Sequence, residues 1–369
     1  MSLNTSLIIV MALAVIAQCE KGADSEPRKK RVGILTLKTN SISKNIAEKY
    51  SEELEAISQD VPNVLEKSSF IASGYVRWLE KAGLEPIALD INADYETLLK
   101  EIVKFDGLLL TGGNQQFFDH NPDSDSRSNK ISNALRAAGL KTIPRIPAVY
   151  LKKVSKIVAK IKEINDSGRK YPIWATCLGF EALIITESKY TLLRHKVNNK
   201  IYAPLPIEVL NLNSKSMKFF DPSETKMFGS SDLFYFNHKW GFLLRRFKRN
   251  GYLKGTMNAV ASINKNGEEV LVWFDYIKYP FIGTQFHPEK FERESMVEDD
   301  PKSPHSLQKE VNHKIALLFK SLMDKRSEAT TDATVFDSEV NDAKLELQEI
   351  GKYKRILFYV RDKLHNASS

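Results

Sequence analysis

Two groupings in this sequence could do nucleophilic chemistry: a cysteine at a chain bend, and a histidine two residues ahead of a glutamate. Cys177 follows the apolar run Tyr171-Pro172-Ile173-Trp174-Ala175-Thr176, and Gly179 stands two places later, before an apolar, helix-like stretch. A nucleophile at a sharp strand-to-helix bend has its side chain presented and backbone amides close by to receive an anion. The plain alternative is a small buried hydrophobe, which is what most free cysteines are. A thiol also needs an imidazole to draw off its proton, and that imidazole needs an acceptor on its other nitrogen. His287 closes the apolar run Phe281 to Phe286, Pro288 stops the ladder, and Glu289 follows. His238, inside the aromatic run Leu233 to Gly241, is a second histidine of interest; an interior histidine satisfied by hydrogen bonding is its alternative. His120, His195, His305, His313 and His365 lie in polar or helical surroundings and read as surface residues. There is no HExxH and no tight Cys/His group, so no protein-held zinc is expected.

The elements that must position these residues follow from periodicity. Arg31 to Leu37 is a β-rich run suited to a buried parallel strand. Asn45 to Asp60 is helix-forming, and Phe70 to Lys81 places Ile71, Tyr75 and Trp78/Leu79 on one helical face, with Gly83 just past the end. Pro86 to Leu89 is a short strand. Asp94 to Phe105 is a helix with Leu98, Leu99, Ile102 and Val103 inward, and Gly107 to Thr111 is a further buried strand closed by Gly112-Gly113. Paired glycines after a strand signal a positive-φ turn or a backbone brought close to a ligand. Residues 119–170 form an excursion that contains the amphipathic helix Tyr150 to Ile164. Tyr190 to His195 and Pro206 to Leu210 read as strands, Asn266-Gly267 as a hairpin turn between two more, and Ser306 to Met323 as a last helix. Strand and helix alternation of this kind gives an α/β fold with a parallel sheet, whose site lies outside the carboxyl ends of its strands. Cys177, the Gly112-Gly113 tip and His287 all stand at such ends.

The chain has a net charge of +8 and 369 residues, a length sufficient for one large α/β domain or for two smaller domains. Its lysines are scattered, with no basic stripe interleaved with aromatics, so nucleic acid is not an expected partner. Leu7 to Ala17 is apolar throughout, too short to span a bilayer, and followed by small and polar residues. We read residues 1–19 as a signal peptide, with a buried N-terminal helix as the alternative; the expected address is the secretory pathway, extracellular or lysosomal/vacuolar, with no stable membrane insertion. Cleavage there removes Cys19 or leaves it in a ragged tail, so that Cys177 is the one cysteine of the mature domain and no intramolecular disulfide is available. Asn165 and Asn366 head glycosylation sequons. Composition divides the chain into a domain over 31–323 and a Ser/Thr/Asp/Glu-rich linker with a C-terminal extension over 324–369, in which Arg355 to Val360 is strand-like.

Several separate motifs resemble the γ-glutamyl hydrolases, folate poly-γ-glutamate hydrolases of the class I glutamine amidotransferase-like superfamily. They are Val32-Gly33-Ile34-Leu35, Ile71 to Gly83, Thr111-Gly112-Gly113, Thr176 to Glu181, Asn237-His238-Lys239-Trp240 and Gln285 to Lys290. The Cys-x-Gly turn and His-Pro-Glu are shared by the whole superfamily; Cys-Leu-Gly-Phe-Glu and Asn-His-Lys-Trp are more specific to the hydrolases. The resemblance implies a flavodoxin-like three-layer α/β/α sandwich with a mostly parallel central sheet. It also implies that Cys177 is the nucleophile, His287 the general base and Glu289 its orienting group. By the same resemblance the backbone N–H groups of Gly113 and Leu178 form the oxyanion hole, and His238 and Glu181 face substrate. Lys38, Lys239 and Lys290 are candidates for binding substrate carboxylates. No cofactor is implied, and a homodimer is allowed but not specified. The sequence departs from the family at Ala175, where glycine is usual, at Phe70, where tyrosine is, in the long excursion after Asn121, and in the 324–369 tail.

The expected reaction is hydrolysis of γ-glutamyl amide bonds in a small-molecule folylpoly-γ-glutamate through a thioester. One rival is a glutaminase module feeding a synthetase, against which the leader and Asn-His-Lys-Trp argue. A second is an inactive binding protein of the same fold, against which the chemically competent triad argues. A third is a thiol-reactive or chaperone-like relative, a group that tends to lack His-Pro-Glu.

Overall fold

The computed structural model describes residues 29–38, 69–118, 147–292, 304–323 and 356–359. In chain order these form β1 (Lys30–Leu35), β2 (Leu37–Lys38), β3 (Ser69–Ala72), α1 (Ser73–Lys81), β4 (Leu84–Leu89), α2 (Tyr95–Ile102), β5 (Gly107–Leu110) and α3 (Val149–Asp166). There follow β6 (Ile173–Thr176), α4 (Leu178–Glu187), β7 (His195–Leu205), β8 (Glu208–Val209), α5 (Pro222–Phe228), β9 (Phe234–Leu243) and α6 (Leu244–Arg249). The chain continues with β10 (Met257–Lys265), β11 (Glu268–Tyr276), β12 (Phe281–Thr284), a 3-10 turn (Pro288–Glu292), α7 (Pro304–Ser321) and β13 (Ile356–Tyr359). The expected leader, Cys19, the Asn45–Asp60 helix, His120, His365, the linker and Asn366 lie outside the described residues.

Five strands run parallel in the order β4-β1-β5-β6-β12, the doubly wound order in which the second strand lies outside the first. Beyond β12 the sheet turns antiparallel through β11, β10 and β8, with β9 also on β11 and β7 on β9. The fold is therefore α/β with a mixed sheet whose parallel half carries the strand ends of interest. Alternation along each strand splits the core in two. Leu35, Leu108, Leu110, Ile173, Ala175 and Phe281 face α2, α3 and α4. Ile34, Leu109, Trp174, Trp273 and Ile282 face α1 and α7. Trp174 is the hub of the second face, with the rings of Trp78, Trp273 and Phe319 at 5.9, 6.3 and 6.0 Å. Helix α4 is buried on every side from Leu178 to Ile185, because the antiparallel extension covers what the parallel sheet does not; Phe180 stacks on Phe274 at 4.9 Å.

The hairpin expected at Asn266-Gly267 joins β10 to β11, with φ of 53° and 81° at its two central residues, the geometry whose twist matches the flanking strands. Three local expectations change. Phe70 and Ile71 belong to strand β3, and the helix begins only at Ser73. Tyr190 to Arg194 is a loop, and the strand starts at His195. Val103 is 41% exposed because α2 ends one residue earlier. The strand-like segment near the C-terminus is β13, which pairs with β3 in a small sheet that also holds β2. No helix among the described residues is long and apolar enough to cross a membrane.

Candidate active site

Cys177 is the bend itself. It joins β6 to α4 with φ 50° and ψ −99°, a conformation costing a non-glycine residue on the order of 1–3 kcal/mol. Neighbouring bonds hold it there: its N–H donates to the Thr284 carbonyl at 2.8 Å, and its own carbonyl accepts the Glu181 N–H at 2.9 Å. Gly179 is what lets the bend close, since a Cβ there would meet the Leu110 carbonyl oxygen at 2.5 Å. Ala175 sits within β6, in register between Leu110 and Gly283, and its methyl is accommodated with no break in pairing.

The glycine tip stands beside this bend. Neither Gly112 nor Gly113 has positive φ; the reason for glycine here is close approach. A Cβ on Gly112 would lie 2.6 Å from His287 Cε1, 2.8 Å from the Tyr75 hydroxyl and 3.1 Å from Cys177 Cβ. Imidazole, phenol and thiol thus surround one methyl-sized volume. A Cβ on Gly113 would collide with Leu37, the residue before Lys38. Lys38 therefore flanks the tip, partly exposed, and close enough to Lys153 to add to its lowered pKa, whose main cause is burial.

His287 Nδ1 lies 2.8 Å from Glu289 Oε1, and both side chains are buried. Burial alone would raise the Glu289 carboxyl, but the adjacent imidazole, its hydrogen bond and the Lys290 ammonium outweigh it and hold the group below the usual range. An ionised carboxylate can only accept, so Nδ1 carries a proton, and in the neutral form of the ring the lone pair is on Nε2. That Nε2 is buried and has no hydrogen-bond partner. Helix α1 supports the pair, with Gly74 packed 3.1 Å (Cβ position) from the Glu289 carbonyl. Tyr75 was legible only as a core residue; its hydroxyl accepts the Gly112 N–H at 2.7 Å and lies 3.5 Å from His287 Nδ1.

Burial pushes the Cys177 thiol up, the Glu181 and Glu289 carboxylates add to that, and the Lys290 ammonium and Leu178 N–H work against it. The Leu178 amide points at the cysteine from the first turn of α4, where the helix favours negative charge.

His238, on β9, donates from Nδ1 to the Trp240 carbonyl at 2.6 Å, leaving a buried Nε2 with no partner. Burial is the main reason its pKa falls to about 4, and nearby His287 adds to it. The two histidines share a neighbourhood because the His287 N–H donates to the Tyr235 carbonyl of β9 at 2.8 Å. Lys239 is exposed on the opposite side of the strand, as alternation requires. Glu181 is 3% exposed with both oxygens engaged, Oε2 by Arg194 at 2.8 Å and Oε1 by Gln285 at 3.3 Å. Its neighbour Arg194 gave no signal in the sequence, yet its guanidinium lies between the rings of Phe117 and Trp240, at 4.6 and 4.9 Å.

Away from the site, the Asn165 amide donates to the carbonyls of Ile161 and Tyr171 at 2.8 and 2.9 Å. A glycan on that nitrogen leaves one hydrogen for two acceptors.

A family profile described as Peptidase C26 matches residues 51–136. The chain is 27% identical over 281 residues to "Gamma-glutamyl hydrolase 2" of Arabidopsis thaliana, covering 73% of this chain and 71% of that protein. It is 29% identical to "Gamma-glutamyl hydrolase" of Rattus norvegicus over 60% of this chain and 61% of that one. It is 30% identical to "Gamma-glutamyl hydrolase" of Homo sapiens, again over 60% and 61%. The two mammalian matches thus span less than two thirds of the relatives' length.

Proposed function

The chain belongs to the peptidase C26 family of γ-glutamyl hydrolases, and from that premise we propose that it hydrolyses γ-glutamyl amide bonds of folylpoly-γ-glutamates through a thioester on Cys177. The observation that carries this reading is the meeting of Cys177, the Gly112-Gly113 tip and the His287–Glu289 pair at the ends of three adjacent parallel strands.

His287 Nε2 takes the thiol proton as Sγ attacks the γ-carbonyl carbon, and the raised thiol pKa favours this concerted use of a base over a standing thiolate. The oxyanion lies against the N–H groups of Gly113 and Leu178, where developing charge is best stabilised. The imidazolium, held by Glu289, then protonates the departing amine as the C–N bond breaks. Water attacks the thioester with His287 again taking the proton, and the thiol leaves. With its pKa lowered to about 4, His238 is neutral above that pH and offers Nε2 as an acceptor for a substrate N–H or O–H. Glu181 acts on substrate through Arg194, the group that its carboxylate holds. Lys38 and Lys290 supply positive charge at the rim. The apolar run Leu7 to Ala17 supports a secretory route, to be checked by sequencing the mature N-terminus.

Product analysis on folate pentaglutamate tests the proposal. Release of glutamate or γ-linked oligoglutamate, absent in Cys177→Ala, is the expected outcome. Hydrolysis of free glutamine with no cleavage of the folate conjugate would replace it with the glutaminase reading.

A further inference from the structure

A cavity of about 480 Å³ opens beside the nucleophile helix rather than over it, lined by the loop that follows α4 and by the end of α6. That volume is in the range of about 300–1,000 Å³ usual for small-molecule sites. Its lining includes Thr191, Arg194, Arg246, Arg249 and Asn250, and no acidic residue. Arg246 and Arg249 are exposed, stand one helical turn apart on α6, and have no carboxylate partner among the described residues. Basic residues in a last turn favour the helix dipole, which accounts for some of this charge. It does not account for the third arginine, which arrives from a different segment and completes a concave wall.

Arg194 is also the link to the reaction centre. Its guanidinium is clamped between Phe117 and Trp240 and paired to Glu181, whose N–H bonds the Cys177 carbonyl. Trp240 in turn supplies the carbonyl that orients His238. One residue of the cavity wall, Arg194, is thus paired to the first turn of the helix that begins at Cys177.

We propose that this pocket is an exosite for a chain of carboxylates, binding the distal residues of a γ-linked oligoglutamate while the scissile bond lies at Cys177. Arginine suits this ligand because its planar fork meets a carboxylate with two parallel hydrogen bonds. A γ-linked chain carries one free α-carboxylate per residue, so two arginines a turn apart engage successive residues. The proposal rests on the hydrolase reading and deepens it into a preference for long chains.

The test compares kcat/KM on folate with five and with two γ-linked glutamates, for the unmodified protein and Arg246→Gln/Arg249→Gln, with thermal melting to confirm folding. The ratio of long to short substrate should fall about tenfold in the double variant, and should also fall in the unmodified protein as salt is raised. An unchanged ratio, or an equal loss on both substrates, overturns the exosite. Calorimetric titration with free tetra-γ-glutamate separates this from the hydrolase reading itself. If the unmodified protein cleaves nothing yet binds tetra-γ-glutamate, and the double variant does not, the exosite stands while the proposed activity falls. No binding by the unmodified protein, or equal affinity for inorganic tripolyphosphate, overturns the exosite.

Discussion

Gly112→Ala is the sharpest probe of the proposed site, because it adds one methyl group and no backbone strain. The position has no positive φ, so the conformational argument against alanine is absent. The new Cβ would sit 2.6 Å from His287 Cε1, about 0.8 Å short of ordinary contact, and 2.8 Å from the Tyr75 hydroxyl and 3.1 Å from Cys177 Cβ. The neighbours cannot all stay. His287 is tied to Glu289, Cys177 is fixed by its hydrogen bond to Thr284, and Tyr75 is buried, so relief must come as a displacement of the imidazole, the phenol or the cysteine by several tenths of an ångström. Overpacking of this size costs about 1–3 kcal/mol of stability. A misplacement near 1 Å costs on the order of 10²-fold in rate. The variant should therefore fold, melt a few degrees lower, and lose about a hundredfold in kcat/KM on folate pentaglutamate. Gly251→Ala is the matched control, since nothing lies within 4 Å of its added methyl. Gly112→Ala retaining kcat/KM within threefold would refute the placement of thiol and imidazole around this glycine.

Other perturbations follow from the same geometry. Tyr75→Phe strips the acceptor from the Gly112 N–H and should cost about 1–3 kcal/mol in urea unfolding, together with a fall in kcat; unchanged stability would mean that the amide is satisfied elsewhere. Glu289→Gln leaves the imidazole without its carboxylate and should lower kcat by about 10²–10⁴-fold with little change in KM, measured under saturating substrate. His238, with a folded pKa of about 4 against an ordinary 6.5, contributes stability that is present above pH 6.5 and lost as pH falls toward 4, at most roughly 3 kcal/mol. Unfolding at pH 7 and pH 4.5 should show this loss in the unmodified protein and a smaller one in His238→Gln; identical pH slopes would count against a buried neutral imidazole.

The parallel half of the sheet was legible because its strands are continuous apolar runs ended by glycine, cysteine or proline: Gly107 to Thr111, Tyr171 to Cys177 and Phe281 to Pro288 are each punctuated at the residue that matters. The catalytic-type residues were legible for the same reason. The Phe70–Lys81 stretch misleads at its start because Ile71, Tyr75 and Trp78 satisfy a helical period while Phe70 is paired across to Leu37 and Ile71 to Leu357. Arg194 left no trace, since its meaning comes from Phe117, Glu181 and Trp240, which no local pattern connects to it. Resemblance alone turns Glu181 toward substrate; the structure places an arginine on one of its oxygens and a glutamine on the other. The antiparallel extension reads in the sequence only as separate strands, and tertiary pairing is what brings His238 on β9 to the end of β12.

The position of β6 has a consequence for how the protein is made. It is paired on one side by β5, which precedes it in the chain, and on the other by β12, which follows about a hundred residues later. Emerging from the ribosome, β6 is an open edge carrying the only thiol between residues 20 and 369, and nothing yet occupies the histidine's place. Until Phe281–Thr284 docks, the Cys177 amide lacks the Thr284 carbonyl that fixes the bend. The same late strand thus closes the open edge, fixes the bend at Cys177 and brings His287 to it, so that the edge and the proposed site are completed in a single step.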